Sequence, residues 1–105
     1  SEFTLIESVV INSLDTQLNG YALSQNYPNP FNPITNLHYS INYDEFVDLS
    51  IFDINGRLVD QLVNSYQSKG DYFVKWDGSS MSSGIYFVKL DAGSYSKMIK
   101  ISLVK

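Results

Sequence analysis

VDLSIFDINGRLVDQLV, residues Val47 to Val63, decides the fold. Val47, Leu49 and Ile51 alternate with Asp48, Ser50 and Phe52. That period of two belongs to a strand with one buried face. The run breaks at Asn55-Gly56, a two-residue hairpin signal of type I′, because both central residues of that turn need positive φ. The hairpin predicts a strand ending at Asp53 and a return strand over Arg57–Val63. Leu58, Val59, Leu62 and Val63 are spaced nearer to a helix. The segment is short and follows a hairpin turn, so it reads as a strand carrying a bulge. Asp53, Asn55 and Gly56 also match part of a calcium loop. Ile51 stands at that pattern's first ligand position and Leu62 where its glutamate belongs, so the hairpin is the better reading.

The same period continues outward. Leu37, Tyr39 and Ile41 alternate with polar neighbours, as do Tyr72, Val74 and Trp76, then Tyr86, Val88 and Leu90. Lys97 to Val104 reads as a mixed strand. Lys69-Gly70-Asp71, the polar loop Asp77–Gly84 and Asp91-Ala92-Gly93-Ser94 mark the turns. Short strands with turn signals at this spacing predict an all-β, antiparallel β-sandwich of about seven strands. The domain spans 21–105. TLIESVVIN, residues 4–12, has strand character, and Ser13–Gly20 reads as a loop. Residues 1–20 are thus a linker or upstream segment, and Ser1-Glu2-Phe3 has the look of a cloning scar.

Composition narrows the function. The 105 residues are 44% hydrophobic, 17% charged and 14% aromatic, a globular mixture. With no cysteine there is no disulfide, thiolate nucleophile or cysteine-bound zinc. No apolar run approaches the roughly 18 residues of a spanning helix. Residues 1–56 hold seven acids and no Lys or Arg, while 57–105 hold all seven basic residues and four acids. That pattern excludes a general nucleic-acid surface, which needs a dense basic patch. It leaves a local basic feature at Lys89, Lys97, Lys100 and Lys105. His38, the single histidine, falls on the polar side of a strand and reads as exposed, not as part of a Ser-His-Asp triad. Asp44, Glu45 and Asp48 surround a turn and read as solvated. No GK[ST] follows Gly78 or Gly84. Trp76 is in phase with Tyr72 and Val74 and reads as core. The chain is not expected to be an enzyme or to carry a cofactor or metal. A structural or carbohydrate-binding sandwich is the alternative, and it calls for an exposed aromatic strip around Tyr66, Tyr72 or Trp76.

All three prolines stand in QNYPNPFNP, Gln25 to Pro33. Each biases its predecessor (Tyr27, Asn29, Asn32) toward extended geometry. Tyr27–Pro33 is therefore expected to be extended and stiff. Pro30-Phe31-Asn32-Pro33 is formally PxxP but lacks a nearby basic residue. An ordered, packed lead-in to the strand Asn36–Ile41 is the expectation.

LSQNYPNPFNPITNLHYSI, VDLSIFDINGRLVDQLV, GDYFVKWDG, SSGIYFVKL and SKMIKISLVK follow one another in a familiar order. Over about residues 21–105 they resemble the C-terminal sorting domain (type A) of the type IX secretion system. That family is related to the immunoglobulin-like domain of flagellar hook-capping proteins. The resemblance implies an immunoglobulin-like sandwich without catalysis. It implies a signal that takes an upstream cargo domain of the same chain through the periplasm and an outer-membrane translocon with its shuttle protein. A cell-surface sortase then removes the signal in many members, leaving the cargo at the surface or secreted. A weak homodimer stays open as a further partner. The family motifs fall on Pro28-Asn29-Pro30, on Gly84 with Tyr86, and on Lys97. Asp53, Asn55, Gly56, Trp76, Asp77 and Gly78 resemble its structural signatures. Phe31 joins Pro28 and Pro30 in stiffening the junction. Lys97, Lys100 and Lys105 suggest a last strand offered to a receptor by strand addition.

Overall fold

A computed structural model describes residues 20–105. The segment 4–12 and Ser1-Glu2-Phe3 lie outside the described residues. Seven strands follow in order: β1 Ala22–Leu23, β2 Ile34–Ile41, β3 Glu45–Phe52, β4 Leu58–Gln67, β5 Gly70–Asp77, β6 Gly84–Ala92 and β7 Tyr95–Leu103. They form two antiparallel sheets, β1-β2-β5 and β4-β3-β6-β7. This is the expected immunoglobulin-like sandwich of seven strands.

Alternation builds the core. Thr35, Leu37, Tyr39 and Ile41 of β2 face Val47, Leu49 and Ile51 of β3 and Tyr86, Val88, Leu90 and Ala92 of β6, all buried. Ile101 and Leu103 of β7 close one side. Their intervening neighbours face out, because successive strand residues point to opposite faces. Each fully buried Val, Leu or Ile contributes roughly 1.5–3 kcal/mol relative to exposure.

The central hairpin differs from expectation in its turn. Gly56 has φ 83, and no residue other than glycine has positive φ among the described residues, so Asn55 rules out type I′. Gly56 N–H instead donates to Asp53 O at 2.9 Å, and Asp53 N–H donates to Arg57 O at 2.9 Å. This is a type I turn followed by a glycine in the left-handed region, the usual three-residue hairpin. Asp53 selects it. Its Oδ1 accepts the N–H groups of Asn55 (2.9 Å) and Arg57 (3.0 Å), and its Oδ2 accepts Arg57 Nε (3.0 Å).

The near-helical spacing in β4 also finds its cause. The β3–β4 register shifts twice, between Leu49 and Ser50 and between Ile51 and Phe52. Val59 and Leu62 are the residues left without a cross-strand partner. Two extra residues convert a period of two into the observed pattern while Val59, Leu62 and Val63 still pack on the core. The strand runs to Gln67, past the expected end at Val63.

Candidate functional site

The proline segment is a strap, and it is bent where an extended run was expected. Local proline preferences lose to side chains that gather the backbone. Buried Asn26 donates from Nδ2 to Pro28 O and Thr35 Oγ1, both at 3.0 Å. Thr35 Oγ1 donates to the same carbonyl at 2.8 Å. Asn26 Oδ1 in turn accepts Gln25 Nε2 at 2.7 Å. A buried amide with every partner supplied fixes one conformation.

Two bridges tie the strap to both sheets. Tyr27 exchanges N–H···O bonds with Asn36 of β2 at 3.1 and 2.9 Å. Phe31 forms a parallel bridge beside Leu103 of β7. Its N–H donates to Ser102 O and its carbonyl accepts Val104 N–H, each at 2.9 Å. Asn29 Oδ1 accepts Ser102 N–H at 3.2 Å, and Gln25 Nε2 donates to Lys100 O at 2.9 Å. Thus the strap covers part of an edge strand. Pro28, Pro30 and Pro33 have no N–H, so the cover does not itself become a new sticky edge.

Phe31, 2% exposed, fixes the strap to the core. Its ring meets Trp76 at 5.7 Å, and Trp76 meets Tyr86 edge-on at 5.6 Å. Gly78 leaves the room: a Cβ there would stand 3.2 Å from Leu103 Cδ2 and 3.6 Å from Phe31 Cε2. Gly78 N–H also donates to Pro33 O at 2.8 Å. Trp76 Nε1 donates to Asp60 Oδ2 at 3.0 Å, which pins β5 of one sheet to β4 of the other. Tyr86 Oη donates to Ser82 O at 2.7 Å, and Gly84 opens the same strand. The residues Phe31, Trp76, Gly78 and Tyr86, far apart in sequence, therefore meet at one end of the sandwich. Asp77 caps the following loop by accepting Ser79 N–H at 2.9 Å. That bond and the Ser79 hydroxyl hold its carboxyl below the usual range.

The lysines do not assemble as one cluster. Lys97 and Lys100 are three residues apart in β7, whose register against β6 has no shift, so they project from opposite faces. Lys105 is held elsewhere: its Nζ donates to Ser79 O (2.6 Å) and Met81 O (2.7 Å), and its N–H to Ser83 Oγ (2.9 Å). It closes the loop between β5 and β6.

His38 is half-buried, against the expectation of an exposed ring. It stacks on Phe73 at 4.6 Å, with Nδ1 3.1 Å from Ser24 Oγ and Nε2 3.5 Å from Asp71 Oδ1. A serine, a histidine and an aspartate do meet. A catalytic triad turns Nε2 toward serine and Nδ1 toward the acid; here the nitrogens are reversed. Asp71 is also bonded by Ser40 Oγ, which with His38 lowers its pKa. The group is a hydrogen-bonded chain on a sheet face. Of the aromatics that the carbohydrate reading calls for, Trp76 is buried and Tyr72 is stacked on Tyr39 at 5.3 Å, while Tyr66 is exposed beside its cross-strand partner Phe46, which is also exposed. Asn26, Thr35 and Asp60 carry structural weight that sequence reasoning missed. Asn26 is flagged only by standing among polar neighbours beside the prolines, and Asp60 by nothing local.

Comparison with known proteins places these features. A family profile described as "Secretion system C-terminal sorting domain" matches residues 25–104. The match begins at the strap and ends at Val104, whose N–H the strap accepts. The chain is similar to a solved structure of PorZ, described as an essential bacterial surface component of the type IX secretion system of Porphyromonas gingivalis. The TM-score is 0.54 at 23% identity, over 86% of this chain and 12% of that one. This likeness concerns the fold. No curated protein matches the sequence. The chain belongs to the family of C-terminal sorting domains of type IX secretion.

Proposed function

We propose that residues 21–105 act as a non-catalytic export signal for a cargo domain in the same chain. The signal carries the cargo from the periplasm through the outer-membrane type IX translocon, with the help of its shuttle protein. A cell-surface sortase then removes it, and the cargo stays at the surface or is released. Residues 1–20 serve as the linker or upstream segment before the signal. The observation that carries this reading is the family match over 25–104, supported by the convergence of Phe31, Trp76, Gly78 and Tyr86 on the strap. What the machinery reads is a folded end of the sandwich, with Pro28, Asn29 and Pro30 on its surface; Lys97, opposite Leu90, lies toward the other end of β7. Lys105 also supports the fold there through its bonds to Ser79, Met81 and Ser83.

The test is export itself. The 105-residue chain is fused behind a signal-peptide-bearing fluorescent reporter in a bacterium that has a type IX system. Reporter is expected outside the outer membrane, and in the periplasm when the translocon is deleted. Reporter retained in the periplasm of the intact strain refutes the reading.

A further inference from the structure

β7 is the outermost strand of its sheet, and only part of its edge is covered. Ser102 turns both its N–H and its carbonyl toward the strap. The β6–β7 register has no shift, so Ser96, Met98 and Lys100 aim their backbone groups the same way. Gln25 takes the Lys100 carbonyl. Among the described residues, nothing meets the N–H and C=O of Ser96 and Met98 or the N–H of Lys100.

This open stretch has a chemical character. Lys97 and Lys100 are exposed on its two faces. Met98, 51% exposed, borders an open groove of about 300 Å³ walled by Phe52, Ile54 and Phe87. The neighbouring charges on β6 are Lys89, opposite Met98, and Asp91, opposite Ser96, which face each other at 3.8 Å. Two copies pairing edge to edge would line four lysines along one seam, the arrangement by which edge strands resist self-association.

We propose that the Ser96–Lys100 edge docks an extended, acidic polypeptide segment as a fifth strand of the four-stranded sheet. Backbone bonds to Ser96, Met98 and Lys100 hold the guest. Lys97 takes a carboxylate on one face and Lys100 on the other. An apolar guest side chain lies against Met98 and the groove. Gln25 and Asn29 end the site, because they already occupy the next backbone groups along the edge. The site does not depend on the export reading. Docking is measured on the purified chain, so either can fail while the other stands.

The experiment titrates the isotope-labelled 105-residue chain with a peptide of alternating glutamate and valine. A peptide of alternating lysine and valine is the control. The amide signals of Ser96, Met98 and Lys100 are expected to shift and their hydrogen exchange to slow. The lysine peptide is expected to bind at least roughly tenfold more weakly. Met98→Pro removes an outward donor and leaves the bonds to β6 intact, so it should weaken the acidic peptide by roughly tenfold with Trp76 emission unchanged. Lys100→Glu should narrow or reverse the preference between the peptides. The proposal is overturned if these amides do not respond or if both peptides bind equally. It is equally overturned if the amides are protected before peptide is added, because the edge is then filled by the chain itself or by a second copy.

Discussion

Replacing Phe31 by alanine separates a built-in strap from a mere linker. The ring is 2% exposed and wedged between Trp76 and the Gly78–Leu103 contact. Truncating a buried phenylalanine costs about 3–5 kcal/mol, the more so where the site cannot collapse. Here the two backbone bonds to Ser102 and Val104 hold the Phe31 backbone in place, so the cavity stays open. If the strap detaches instead, those bonds go too, at about 1 kcal/mol each. Either route gives a loss of roughly 4 kcal/mol, a large part of the roughly 5–15 kcal/mol typical of a domain. Urea unfolding followed by the single tryptophan, Trp76, is the assay. A domain of this size has a slope near the low end of the usual range, so the midpoint should fall by roughly 2–3 M. Hydrogen exchange at Ser102 and Val104 should accelerate at the same time. A midpoint change below about 0.5 M, with both amides still protected, refutes the strap as part of the fold.

Three further outcomes follow from the same geometry. Asp60→Ala strands the Trp76 indole N–H in a buried site, which should cost about 1–3 kcal/mol in the same urea experiment. Gly56→Ala forces a Cβ into φ 83 and should cost roughly 1–2 kcal/mol, with no effect on strand pairing beyond the hairpin by NMR. Asp53, Asp71 and Asp77 all titrate below their ordinary 3.8, held down by backbone and hydroxyl donors. Their contribution is present above pH 4 and is lost as pH falls below it, because the unfolded chain takes up protons first. Acid titration of the thermal midpoint should show that fall, and Asp53→Ala should make it shallower.

Much of the sandwich was legible because alternation and turn residues act locally. Val47–Ile51 and Tyr86–Leu90 announce their buried faces one residue at a time. The β4 strand was readable only as an irregular strand, since its pattern is set by two bulges against β3 and not by its own period. The turn type was misread for a similar reason. Asn-Gly permits type I′, but the Asp53 carboxylate offers three hydrogen bonds to a different turn. The strap was recognised as ordered, yet its bend comes from Asn26 and Thr35, which meet only once β2 is in place. The lysines looked like one cluster because they are close in sequence. On a strand, a spacing of three sends Lys97 and Lys100 to opposite faces, and Lys105 is captured by carbonyls of a distant loop. Asp60 could not be found at all, because its partner Trp76 lies in the other sheet.

The central claim is that this sandwich, with its strap, is sufficient to export what precedes it. The most direct measurement compares reporter fusions to the 105-residue chain and to an unrelated immunoglobulin-like sandwich in one type IX-competent strain, by protease accessibility on intact cells. The account predicts surface or medium reporter for this chain alone, dependent on the translocon. Equal export of both fusions, or periplasmic retention of both, would contradict it.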